Sequence, residues 1–129
     1  MKTLENIHEW IGANLEEYFQ YRRTLEANLR TLGNLYAAQY DKESPLYHST
    51  PEQTVAAYVE AVGYDSAVEI IASLVNCVAW DGRISRRSAQ WASSQENAWD
   101  DDACRNLNLY CNRVHTAHLD QIAEAMMEY

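Results

Sequence analysis

Three observations point to an all-α, single-domain bundle of about five helices around a buried central helix. Between Tyr64 and Ala92, the residues Val68, Ile70, Ile71, Ala72, Leu74, Val75, Cys77, Val78 and Ala79 cover nearly the whole circumference of a helical wheel. Only Glu69, Ser73 and Asn76 form a polar sliver, at i, i+4 and i+7, and a helix that apolar is enclosed by its neighbours. From Leu4 to Tyr40, the residues Leu4, Ile7, Ile11, Leu15, Tyr18, Leu25, Leu29, Leu32 and Tyr36 mark one amphipathic helix face. Finally, 47% of the 129 residues are hydrophobic and only four glycines and two prolines interrupt them, which favours a compact helical body over disorder. One domain spanning 1–129 is enough for a chain of this length, and burial of roughly two thirds of its unfolded surface is expected.

The first helix, unbroken, would run roughly 55 Å against a domain diameter of roughly 36 Å, so it protrudes or bends, and Gly33-Asn34 is the expected break. Arg22 falls within the apolar stripe, where its stem can pack while its head reaches Glu26 one turn on. Asp41 to Ser49, with Pro45 and His48, reads as a loop. Thr50-Pro51-Glu52-Gln53 is a strong helix start, with Thr50 as N-cap, proline at the first helical position and Gln53 closing a capping box. The second helix is expected from Pro51 to about Val62, burying Val55, Val59 and Val62 and stopping at Gly63.

Asp65 or Ser66 is the expected cap of the central helix. At its far end Gly82 suits the left-handed position just past a helix C-terminus, with Ile84 folding back onto the core. Ser85 then restarts a short basic helix carrying Arg86, Arg87 and Trp91. After the polar connector SSQENAW, Asp100, Asp101 and Asp102 open the last helix, where carboxylates oppose the positive end of the helix dipole. Its inward stripe is Cys104, Leu107, Cys111, Val114, His118, Ile122, Ala125 and Tyr129.

Ten basic residues stand against nineteen acidic ones, a formal net charge of −9. That field repels nucleic-acid backbones and favours basic partners, although solubility alone makes many proteins acidic. The N-terminus carries acids where a secretory signal needs an apolar run, and no stretch is long enough to cross a bilayer, so a cytoplasmic protein without a membrane partner is expected. Three cysteines without a short-range framework fit reduced, buried thiols.

Cys104, Cys111, His115 and His118 have a zinc-like look, but fourteen residues of straight helix span roughly 21 Å while zinc ligands lie about 2 Å from the ion. Only Cys111 and His115 could share an ion, too few for a site without help from His8 or His48, so neither metal nor cofactor is expected. No serine elbow, cysteine–histidine pair with an orienting acid, or phosphate-cradling glycine loop occurs. Asp81-Gly82-Arg83-Ile84-Ser85 lacks the further oxygen ligands of a calcium loop, and the triple aspartate reads as a helix start rather than a magnesium site. A non-enzymatic protein is therefore expected.

Arg83, Arg86 and Arg87, with Trp80, Trp91 and Trp99, make the one locally basic and aromatic segment. Arginine among aromatics suits phosphate or base contacts and also protein hot spots, but the acidic excess opposes direct nucleic-acid binding.

The run Trp80-Asp81-Gly82-Arg83-Ile84-Ser85, followed by Trp91-Ala92, resembles a family of small proteins borne by conjugative elements and phages of gut-dwelling Gram-positive bacteria. The likeness runs from Asn76 to Ala92, and implies a mobile-element context rather than an activity. Small acidic proteins of that setting look like inhibitors of host defence nucleases, either CRISPR effectors or restriction enzymes. Two partner-binding surfaces are expected on that basis. One is acidic: Glu9, Glu16, Glu17, Asp100, Asp101 and Asp102. The other is the elbow: Trp80, Asp81, Arg83, Arg86 and Arg87. The alternatives are an accessory or structural protein of the element, homo-oligomeric where the first helix protrudes, and a nucleic-acid-binding regulator using the Arg83, Arg86 and Arg87 segment.

Overall fold

The computed structural model describes residues 15–79, 81–100 and 116–129, and over these the chain is all-helical. Five helices follow in order: α1 (Leu15–Ala38), α2 (Pro51–Val62), α3 (Tyr64–Val78), α4 (Arg86–Ser94) and α5 (Thr116–Met127). No helix among the described residues is long and apolar enough to cross a membrane. As expected from its sequence, α3 is the central rod. It packs against each of the other four helices, and every residue from Ile70 to Cys77 is buried.

α1 turns Leu25, Leu32 and Tyr36 into the core, with Leu29 half-buried beside them. The expected break at Gly33-Asn34 does not occur, since α1 runs through both residues. A glycine inside a helix costs only about 1 kcal/mol relative to alanine, and the burial of Leu32 and Tyr36 on either side outweighs that. Arg22 behaves as its position suggests, its Nε donating to Glu26 Oε1 at 3.2 Å. The expectations for Leu4, Ile7 and Ile11 lie outside the described residues.

Local chemistry fixes α2. The Thr50 hydroxyl accepts from the Gln53 amide at 3.2 Å while Gln53 Oε1 accepts from the Thr50 amide at 2.8 Å, the reciprocal capping box read in the sequence. Val55 is buried as expected, Val59 and Val62 only partly, and Tyr58, not anticipated as core, is fully enclosed with its hydroxyl donating to the Asn28 carbonyl at 2.7 Å.

Neither Asp65 nor Ser66 caps α3. Gly63, at φ 90° and ψ 155°, ends α2 and starts α3 without a side-chain cap, its amide returning to the Val59 carbonyl. Gly82 is not left-handed either, for Gly63 is the glycine at positive φ among the described residues. The turn after α3 is built by Asp81 instead. Its amide donates to Val78 O at 2.9 Å, and its Oδ1 accepts from the Arg83 amide at 2.9 Å, which removes the need for a glycine conformation. Ile84 then folds back into the core, and Ser85 caps α4 by accepting from the Ser88 amide at 3.1 Å.

α5 buries Leu119, Ile122, Ala123, Ala125 and Met126. Of the expected stripe, Ile122 and Ala125 are inside, His118 is half-buried, and Tyr129 is exposed because the helix stops at Met127; Cys104, Leu107, Cys111 and Val114 lie outside the described residues. Cys77, buried on α3, is disulfide-bonded, which corrects the expectation of a reduced thiol at that position.

Candidate interaction surface

The polar sliver of α3 organises the middle of the molecule. Ser73 Oγ accepts from the Trp99 amide at 2.8 Å and Asn76 Nδ2 donates to the Trp99 carbonyl at 2.8 Å, so two buried side chains satisfy both backbone groups of one buried residue. The Trp99 ring lies 5.7 Å from that of Tyr21, and the Tyr21 hydroxyl donates to Glu69 Oε2 at 2.7 Å. Burial, followed by the Glu69 charge and its hydrogen bond, pushes the Tyr21 hydroxyl far above its ordinary value, with the Trp99 side chain partly offsetting the shift. Glu69, Ser73 and Asn76 together hold the connector after α4 and the first turns of α1 against the central rod.

The elbow is built by two carboxylates. Asp81 Oδ1 and Oδ2 receive Arg83 Nε at 3.2 Å and an Arg83 terminal nitrogen at 3.0 Å, a two-pronged pair that holds the Asp81 carboxyl below its usual range. Farther along, Asp120 on α5 accepts from the Ser85 amide at 3.0 Å. Burial alone would raise the Asp120 carboxyl, but the bonds from the Ser85 amide and the Ser88 and Ser85 hydroxyls outweigh it and hold the group below its usual range. A carboxylate of the protein itself thus sits where the start of α4 would otherwise attract an anion.

Of the expected elbow residues, Asp81 is half-buried, Arg83, Arg86 and Arg87 are exposed, and Trp80 lies outside the described residues. Arg87 approaches Glu128 at 3.7 Å with both side chains largely in solvent, a pair that contributes little, and Arg86 makes no ion pair among the described residues. Of the acidic set, Glu16 and Glu17 are exposed on the first turn of α1, Asp100 is half-buried after Trp99, and Glu9, Asp101 and Asp102 lie outside the described residues. α1 packs on α2 and α3 whereas α4 packs on α3 and α5, so Glu16 and Glu17 stand on a helix that does not touch the arginine-bearing one.

A cavity of about 90 Å³ lies between Tyr36, Gln39, Thr54, His118 and Gln121. Tyr36 Oη is hydrogen-bonded to His118 Nδ1 and lies 3.4 Å from Tyr40 Oη. Burial, and then the Tyr40 hydroxyl, raises the Tyr36 hydroxyl well above its ordinary value, which keeps it a neutral phenol. The nearby Ser49 hydroxyl faces Thr54 Oγ1 at 3.5 Å. Among the described residues no three histidine, cysteine or carboxylate side chains come close enough together to hold a metal ion.

The chain matches no protein-family model, no curated protein and no solved structure.

Proposed function

We propose that this chain is a small acidic protein of a mobile genetic element that binds and inhibits a nucleic-acid-processing defence enzyme of the host, a CRISPR effector or a restriction nuclease, without catalysing a reaction. One observation carries the reading. Glu16, Glu17, Glu52 and Glu60 are exposed and enter no ion pair among the described residues, so much of the net charge of −9 is displayed unneutralised on a helical frame. Carboxylates presented in that way can occupy a channel that an enzyme lines with arginine and lysine for phosphates. The resemblance at Trp80 to Ala92 supplies the mobile-element setting. Of the elbow arginines, Arg83 is folded onto Asp81, and Asp120 already sits at the start of α4, which leaves Arg86 and Arg87 exposed on a chain whose net charge opposes a nucleic-acid backbone.

The test is a cleavage assay with purified CRISPR effectors and restriction nucleases, run with and without thiol reductant. Action in the cytoplasm requires inhibition to survive reduction of the Cys77 disulfide. Dose-dependent inhibition lost on Glu16→Lys with Glu17→Lys, or on reversal of Asp100 to Asp102, supports charge mimicry. Potency retained in both variants counts against it.

A further inference from the structure

The elbow after α3 carries the one Asp-Gly step in the chain, Asp81-Gly82, and the sequence holds no Asn-Gly. In such a step the glycine nitrogen can attack the aspartate side-chain carboxyl, because a residue without a Cβ leaves that approach open. Gly82 is exposed, a Cβ added there would meet nothing within 4 Å, and its amide enters no hydrogen bond among the described residues. The carboxyl, in contrast, is held. Asp81 Oδ1 accepts from the Arg83 amide at 2.9 Å and from Arg83 Nε at 3.2 Å, and Oδ2 accepts from an Arg83 terminal nitrogen at 3.0 Å. All three bonds come from one residue.

We propose that Asp81-Gly82 is a site of spontaneous aspartate isomerisation and that Arg83 guards it. The Gly82 nitrogen bonds to Asp81 Cγ and gives up its proton while one carboxyl oxygen departs as water, which closes a cyclic imide. Water then opens the ring. Cleavage of the new bond from Cγ to nitrogen restores aspartate. Cleavage of the original peptide bond gives isoaspartate, whose main chain runs through Cβ and Cγ. One water leaves and one enters, and no oxidant or cofactor is consumed. Arg83 opposes ring closure in two ways. Only the neutral carboxyl can release an oxygen as water, and the guanidinium favours the carboxylate, holding the group below its usual range. Closure also removes one of the two oxygens that the fork grips, so the fork must open first. The Asp81 carbonyl accepts from the Ile84 amide at 3.0 Å, and Ile84 is buried in the core, so an extra main-chain carbon at this step would displace the anchor of the elbow.

The test is ageing of the purified full chain for weeks at neutral pH, with isoaspartate at position 81 quantified by peptide mapping and electron-transfer fragmentation. Circular dichroism before ageing establishes that each variant is folded. Arg83→Gln should accumulate isoaspartate about fivefold faster than the parent, and Arg83→Lys, which keeps the charge but loses the fork, should fall between them. Adding Gly82→Ala to Arg83→Gln should bring the rate back to that of the parent or lower, since the added Cβ obstructs the attack at a position with room for it. Asp120→Asn loosens the elbow without touching Asp81 and should age like the parent. Equal rates in the parent and Arg83→Gln would overturn the proposal. So would a rate in Asp120→Asn as high as in Arg83→Gln, which would make general loosening the cause, or isoaspartate undiminished by Gly82→Ala. No nuclease is present, so the outcome is independent of the cleavage assay.

Discussion

Asn76 on the central helix and Trp99 on the connector after α4 are joined by a buried hydrogen bond of 2.8 Å from the Asn76 amide to the Trp99 carbonyl. Ser73, one turn earlier, takes the Trp99 amide at 2.8 Å. Replacing Asn76 by leucine keeps the volume but removes the donor from a buried carbonyl, and should destabilise the fold by about 2–3 kcal/mol. Ser73→Ala should cost about 1–2 kcal/mol, with the double variant non-additive because the two side chains share one residue. Urea unfolding followed by tryptophan fluorescence measures both, and a leucine variant as stable as the parent would show that the clamp carries no weight.

Asp120 tethers the start of α4 from α5, and its carboxyl is held below the ordinary aspartate value. A depressed folded value means that the stabilisation is complete above the unfolded value, about 3.9, and fades as pH falls through the folded one. Asp120→Asn should therefore lower stability by about 1 kcal/mol at pH 7. The gap between variant and parent should begin to narrow below about pH 4 and close once the pH is below the folded value. Chemical denaturation at several pH values reads it directly, and a gap that persists unchanged in acid would separate the effect from the charge.

Tyr21 makes the opposite prediction at the alkaline end. Its raised value means that the folded state keeps the hydroxyl protonated, so its contribution is complete below the unfolded value, about 10, and is lost as pH rises above it. Tyr21→Phe should cost about 1 kcal/mol at neutral pH through loss of the bond to Glu69. It should also leave unchanged the number of tyrosines that ionise near pH 10 in the folded protein. One fewer phenolate by ultraviolet titration would place Tyr21 in contact with solvent.

The two glycines of the turns should respond differently to alanine. Gly63 adopts φ 90° and ψ 155°, a region open essentially to glycine alone, so Gly63→Ala should cost about 1–3 kcal/mol although nothing lies within 4 Å of the added carbon. Gly82→Ala meets open space at an ordinary φ and should stay within about 0.5 kcal/mol of the parent. Thermal melts of the pair decide between strain and crowding as the cause.

What the sequence revealed follows from the range over which each signal acts. The capping box at Thr50 and Gln53 involves residues three apart and forms as read, and the helix restart read at Ser85 is fixed by a cap of the same short range, from the Ser88 amide to the Ser85 hydroxyl. The apolar circumference of α3 likewise announces its own burial. Ser73 and Asn76 were visible as a polar sliver, but their partner lies 26 and 23 residues away, and no local pattern names it. Gly82 misled because Asp81 makes the turn with its side chain, and Gly33 because burial of its neighbours exceeds the small helix penalty of glycine. A groove lined by Tyr64, Asp65 and Glu96 was hidden for a similar reason: Asp65 and Glu69 stand one turn apart on α3, but Glu96 reaches the same groove only after α4 has folded back along α3.

The bond from Ser85 to Asp120 spans 35 positions and ties the motif-bearing elbow to a carboxylate near the far end of the chain. The orientation of Arg86 and Arg87 is consequently a property of the assembled bundle and not of their own segment. A peptide excised from Trp80 to Ala92, or a fusion that grafts those residues onto another scaffold, would carry the same letters without the same presentation.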